Sequence, residues 1–139
     1  MLVETILNAL SKLEALRDIS LKELTKDEKL QGFILWNLYI SVQGCIDLAF
    51  KTIARLNLEN PKTYKEAFEI LYKNNLISKD VKNSLQDAAK FRNVLAHLYI
   101  GINLAVVKKV ISENLTDLRR YIRELDVALQ KKGIDIYDL

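Results

Sequence analysis

Residues 32–50 read GFILWNLYISVQGCIDLAF, a stretch in which apolar side chains dominate. The run approaches the length of a membrane span, but Asn37, Ser41, Gln43 and Asp47 interrupt it at helical spacing. Polar groups are costly inside lipid, whereas a helix in a protein core can satisfy them. The stretch therefore predicts a long, largely buried helix and not a membrane span.

This long helix is expected to begin near residues 25–28 and to run to about Leu56. Thr25 and Glu28 have the spacing of a capping box, in which each side chain bonds a backbone amide of the first turn. The helix carries apolar residues on more faces than a small bundle can cover. Part of it is therefore expected to meet a second copy in a symmetric homodimer, while full burial within one chain stays open.

Four further helices are predicted around the long one. The first has an apolar stripe formed by Leu2, Ile6, Leu10, Leu13 and Leu16. The third opens at Asn60–Pro61 and ends near Asn74, the fourth begins at Ser78, and the last follows a cap at Asn103. With only four glycines and one proline, the chain predicts an all-α, five-helix up-and-down bundle, and residues 1–139 are expected to form a single domain.

Composition narrows the class of protein. A net charge of +3 is too small to indicate nucleic-acid binding by itself. The single cysteine, Cys45, has no partner for a disulfide, which favours a reducing compartment. The N-terminal sequence has an acidic residue at Glu4 and lacks the pattern of a signal peptide. We therefore expect a cytoplasmic protein that is not in the membrane.

Residues 91–99, FRNVLAHLY, contain the only histidine of the chain. No Gly-rich phosphate loop, metal-spaced Cys/His set or nucleophile elbow accompanies it. At about 100° per residue, Asn93 lies about 40° from His97 and Arg92 about 140° from it. One interpretation is that His97 serves general acid–base chemistry. The alternative is that His97 suits a helix C-terminus and that Arg92 is a solvated charge.

The segment RNVLAHLY has the form Arg-x4-His-x-Tyr, and it resembles the signature of the HepT-like branch of HEPN domains. The resemblance extends over the chain, since such proteins share its length, a long second helix here containing Gln43 and Asp47, and a motif at the end of the fourth helix. It implies a homodimer that cuts RNA without a metal or cofactor. It also implies that Arg92 and His97 are the catalytic pair, with Asn93 as the polar residue after the arginine.

The same resemblance assigns Tyr99 to the tyrosine that a cognate minimal nucleotidyltransferase antitoxin modifies with AMP. In the implied reaction, His97 acts as base or acid for attack of the RNA 2′-OH on phosphorus, and Arg92 binds the phosphate. Asp47 lies one helical turn after Gln43 and shares its face. It either orients His97 or Arg92, or satisfies a buried polar contact between subunits.

Two other functions stay open at this point. The first is a catalytically silent HEPN domain that binds nucleotide or RNA or acts as a dimerising adaptor. The second is a generic helical interaction module, in which His97 has no role. The basic residues of the last helix, Arg119 and Arg120 among them, either follow an RNA backbone or form a solvated face.

Overall fold

The computed structural model describes residues 1–96 and 103–139, and every regular element in these ranges is a helix. The elements are α1 (Leu2–Glu14), α2 (Leu21–Lys26), α3 (Glu28–Arg55), α4 (Tyr64–Lys73), α5 (Lys79–Ala96), α6 (Leu104–Lys109), a π-helical turn (Val110–Asn114), α7 (Leu115–Gln130) and a final 3₁₀ turn (Ile136–Asp138). The predicted all-α class is confirmed. The five predicted helices correspond to α1, α3, α4, α5 and the continuous run from α6 to α7.

Helix α3 is the centre of the fold and contacts α1, α2, α4, α5 and α7. Its closest neighbour is α1, because Gly44 has no side chain to hold Ile6 away. By length and hydropathy α3 would also suffice to cross a membrane, but 56% of its most apolar window is buried in the protein. The prediction of a core helix agrees with this burial.

The predicted caps of two helices are wrong. Asp27, not Thr25, caps α3 by accepting from the Leu30 amide at 3.0 Å. Thr25 lies inside the short helix α2, where its hydroxyl donates to the Leu21 carbonyl at 2.7 Å. The predicted capping box with Glu28 therefore does not form, because α2 and α3 are separate helices with separate caps.

Helix α4 likewise begins later than Asn60–Pro61. Thr63 is its cap and accepts from the Glu66 amide at 3.1 Å. Glu66 in turn accepts from the Lys62 amide at 2.7 Å. This Thr63–Glu66 pair satisfies amides at the helix start that an asparagine three residues earlier cannot reach.

The predicted caps of the next two helices are both found. The Ser78 hydroxyl accepts from the Val81 amide at 3.3 Å, and the Asn103 side-chain oxygen accepts from the Ala105 amide at 3.0 Å.

Polar contacts between distant elements complete the packing. The Arg119 guanidinium of α7 donates to the Glu14 carboxylate of α1 at 2.6 and 2.7 Å. The Tyr121 hydroxyl, buried in the core, donates to the Cys45 carbonyl at 2.9 Å. Burial raises the pKa of the Tyr121 hydroxyl and that of the Cys45 thiol. Cys45 is therefore a protonated core residue and not a nucleophile.

Candidate active site

Helix α5, which carries Arg92 and Asn93, is held firmly at its N-terminus. The Glu124 carboxylate of α7 accepts from the Ser78 amide at 2.7 Å and from the Ser78 hydroxyl at 3.1 Å. Further along α5, Lys82 is buried, pairs with Glu69 at 3.0 Å and lies 5.0 Å from the centre of the Tyr72 ring. These contacts fix the axis of α5 against α4 and α7, and so fix where its C-terminal end points.

Arg92 lies in the last two turns of α5 and is half-buried. Its Nε atom is buried and has no hydrogen-bond partner within the described residues. A buried donor without an acceptor costs about 1–3 kcal/mol, and more when it belongs to a charged group. The guanidinium is thus ready to take an acceptor from outside these residues. The acceptors that best fit a planar guanidinium are the oxygens of a phosphate or of a carboxylate.

Asn93 follows Arg92 but is exposed, about 100° further round the helix. His97 and Tyr99 lie outside the described residues. The helix is described to Ala96, and the chain is described again from Asn103, which caps α6. The geometry of Arg92 and Asn93 toward His97, and the placement of Tyr99, therefore stay predictions.

Gln43 and Asp47 form a hydrogen-bonded pair on α3. The Gln43 Nε2 atom donates to the Asp47 Oδ1 atom at 2.9 Å, and Asp47 is exposed. In the part of the chain that the structure describes, Asp47 makes no hydrogen bond to Arg92. Asp47 is thus presented to solvent or to another molecule. Neither of its two predicted roles is tested by this placement.

A cleft of about 240 Å³ opens between α3, α5, the π-helical turn and α7. Phe91, the residue before Arg92, contributes to its wall. The main apolar residues around it are Leu38, Val42, Ala88, Phe91, Val110 and Leu118. Polar side chains reach it from three different elements, and they are Ser84, Asp87, Asn114 and Asp117. Sequence reasoning missed these four, because no local spacing connects α5 with the π turn and α7.

The basic residues of the last helix are partly used in the fold. Arg119 binds Glu14, and the Arg120 Nε atom donates to Glu124 at 3.1 Å. Two of the cations that were considered for an RNA path therefore have intramolecular partners. Arg123, by contrast, is exposed and makes no ion pair among the residues described.

The profile of the ribonuclease HepT-like family matches residues 6–125, which include most of α1, all of α3 and α5, and the Arg-x4-His-x-Tyr segment. The chain belongs to this family. The expected HepT-like membership is thereby confirmed, and with it the enzyme class of ribonuclease.

Relatives support the same assignment. The mRNA nuclease HepT of Shewanella oneidensis is 29% identical over 100 residues, which are 72% of this chain and 75% of the relative. The solved structure of the tri-AMPylated Shewanella oneidensis HEPN toxin in complex with its MNT antitoxin matches with a TM-score of 0.81 at 25% identity, covering 91% of this chain and 94% of that chain. The cytosolic protein YutE of Bacillus subtilis shares the fold, with a TM-score of 0.77 at 15% identity over 94% and 90% of the two chains.

Proposed function

We propose that this chain is a metal-independent endoribonuclease toxin that acts in the cytoplasm as a homodimer. The whole chain, residues 1–139, would form one catalytic domain, and two Arg-x4-His-x-Tyr motifs would face a shared cleft. The observation that carries the proposal is the buried Nε of Arg92 near the end of α5, which has no hydrogen-bond partner among residues 1–96 and 103–139. The family membership and the mRNA nuclease relative agree with an RNA phosphate as the missing acceptor.

RNA supplies its own nucleophile for this reaction. His97 would remove the proton of a 2′-OH group, the 2′ oxygen would attack the adjacent phosphorus, and a second proton transfer would release the 5′ oxygen. Imidazole titrates near neutrality and suits both proton transfers. Arg92 would bind the phosphate and stabilise the negative charge that develops on it. Each chain has one histidine, whereas the reaction uses a base and an acid. A dimer would offer two histidines across one cleft, one for each proton transfer.

A minimal nucleotidyltransferase antitoxin is proposed as the partner that controls the enzyme. The Shewanella toxin is AMPylated in complex with its MNT antitoxin. In this chain Tyr99 would be the modified residue, because a nucleotide attached there adds bulk and negative charge where the RNA phosphate must bind. Asn93 would orient His97, and the Gln43–Asp47 pair would support the site from the partner subunit.

RNA cleavage by the purified protein in excess EDTA tests the proposal, with bulk transfer RNA and a messenger transcript as substrates. We expect His97→Ala and Arg92→Ala to lower the rate by about 100-fold or more, since proton transfer and charge stabilisation each contribute on that order. Arg17→Ala, which removes an exposed arginine in the connection between α1 and α2, is the matched control and should cleave like the parent.

Circular dichroism and the sedimentation of each variant must first show a folded protein with the parent's oligomeric state. Equal cleavage by all variants would contradict a role for Arg92 and His97. A folded parent that cleaves neither RNA would favour the silent binding module instead.

A further inference from the structure

The cleft that Phe91 helps to line has the dimensions of a site for one planar ring system. Its volume of about 240 Å³ lies below the roughly 300–1,000 Å³ of sites for larger ligands. The half-buried side chains of Ala88, Phe91 and Val110 give it apolar walls. Unstacked RNA bases bind between such aromatic and apolar surfaces in sequence-specific recognition.

The polar edge of the cleft consists mainly of hydrogen-bond acceptors. Asp87 comes from α5, Asp117 from the first turn of α7, and Asn114 from the end of the π turn. None of these three side chains is hydrogen-bonded or ion-paired to another residue in the ranges 1–96 and 103–139. All three are at least partly exposed, so a ligand can reach them. π turns of this kind often occur at functional sites.

Carboxylates accept hydrogen bonds and do not donate them, which selects among the four bases. The Watson–Crick edge of guanine presents two adjacent donors, N1–H and the N2 amino group, which match one carboxylate in a bidentate arrangement. Uracil presents one donor between two carbonyl oxygens, and these oxygens repel a carboxylate. The Asn114 amide can donate to guanine O6. The chemistry of this edge therefore favours guanine.

The position of the cleft along α5 also suits a nucleotide whose phosphate binds Arg92. Phe91 directly precedes Arg92, and Ala88, which also borders the cleft, lies one turn or about 6 Å before Arg92 along the axis of α5. A base held in the cleft would leave its phosphate near the guanidinium. The acidic side chains would then contact the base and not the phosphate, which explains why carboxylates are tolerated close to an RNA site.

We propose that this cleft is a nucleobase subsite that selects guanine next to the scissile phosphate. The inference deepens the proposed endoribonuclease function and rests on it. It assigns Asp87 and Asp117 to base selection, Asn114 to the O6 edge, and Phe91 to stacking.

The test compares the cleavage of short RNAs that differ at one nucleotide, guanosine, inosine or uridine. Inosine lacks only the N2 amino group of guanosine. We expect the parent to cleave beside guanosine about tenfold faster or more than beside inosine or uridine, as for a bidentate base contact. In Asp87→Asn and Asp117→Asn this ratio should fall toward one. Asp18→Asn makes the same charge change in the connection between α1 and α2, outside the cleft, and should keep the parent's ratio.

Equal rates on the three RNAs, or a preference that survives both substitutions, would overturn the subsite and leave the endoribonuclease proposal intact. If the parent cleaves no RNA, the proposed function fails, and the subsite is judged by NMR titration of the parent with guanosine and inosine 3′-monophosphates. Tighter binding of the guanosine nucleotide, with shifts of the Phe91 and Asn114 amide signals, would support it. The absence of these shifts would overturn it.

Discussion

At the scale of single residues, Gly44 sets how closely α1 and α3 pack. A Cβ atom built at this position would lie 2.5 Å from Ile6 Cγ1 and 3.1 Å from Ile6 Cδ1. Ile6 is fully buried, so it has little room to move, and the two helices would have to separate. Gly32, in the same helix, has nothing within 4 Å of an added Cβ.

We predict that Gly44→Ala lowers the free energy of unfolding by about 1–3 kcal/mol, as overpacking of a core does. Gly32→Ala should instead raise it by about 0.5–1 kcal/mol, because alanine favours a helix interior. Urea unfolding of the two variants beside the parent measures both changes. A Gly44→Ala protein as stable as the parent would show that α1 and α3 can shift apart without loss.

At the scale of elements, the Glu14–Arg119 pair joins the first helix to the last. The hydrogen bonds from Arg119 hold the pKa of the Glu14 carboxyl below its usual range, and they outweigh the opposing effect of burial. A carboxyl whose pKa is lower in the folded protein stabilises the fold above its unfolded pKa, about 4.3, and loses this contribution as the pH falls through the folded value.

We therefore predict that the melting temperature of Glu14→Gln falls less steeply than that of the parent as the pH is lowered from about 5 to 3. At pH 7 the variant should be less stable than the parent, since the charged pair is lost. Glu4→Gln, which changes an exposed glutamate of α1, serves as the control and should keep the parent's slope. Parallel curves for all three proteins would mean that the pair adds no pH-dependent stability. Thermal melts at several pH values decide this.

At the scale of the whole molecule, α3 presents aromatic residues to solvent. Trp36 is 62% exposed and Phe33 41%, and the Trp36 ring stacks on Tyr39 with 6.2 Å between centroids. Trp36, Gln43 and Asp47 are spaced so that they share a face of the helix. We propose this face as the contact between the two copies of the expected homodimer, because large apolar groups left in water usually mark an interface.

If the protein forms the proposed homodimer, Trp36→Glu is predicted to convert it into a monomer, since a charge would have to be buried in the contact. RNA cleavage should fall with it if the two subunits share one cleft. Tyr137→Glu adds the same charge at a 47% exposed aromatic residue near the C-terminus and should leave the dimer intact. Analytical ultracentrifugation gives the oligomeric state of each. A dimeric Trp36→Glu protein would place the interface elsewhere.

Local signals in the sequence were enough to predict the fold class, two helix starts and the family. Helical periodicity predicted the all-α class, Ser78 and Asn103 predicted two helix starts, and RNVLAHLY predicted the family. Each of these depends on residues within a few positions of one another, so it can be read without knowing how the chain packs. The same local reasoning failed at Thr25, because the separate caps Ser20 and Asp27 divide the segment into two helices.

Only the tertiary structure decided which distant residues meet. Glu124 binds Ser78, the cap residue of α5, from 46 residues away, and the cleft that Phe91 helps to line joins side chains of α3, α5, the π turn and α7. The burial of Arg92 Nε, which finds no acceptor in the part of the chain that the structure describes, is likewise a consequence of packing, since sequence spacing alone cannot tell a buried donor from a solvated one. Spacing along one helix fixes the face on which a residue lies. The crossing of helices fixes what that face contacts, and this depends on the shapes of all the packed side chains together.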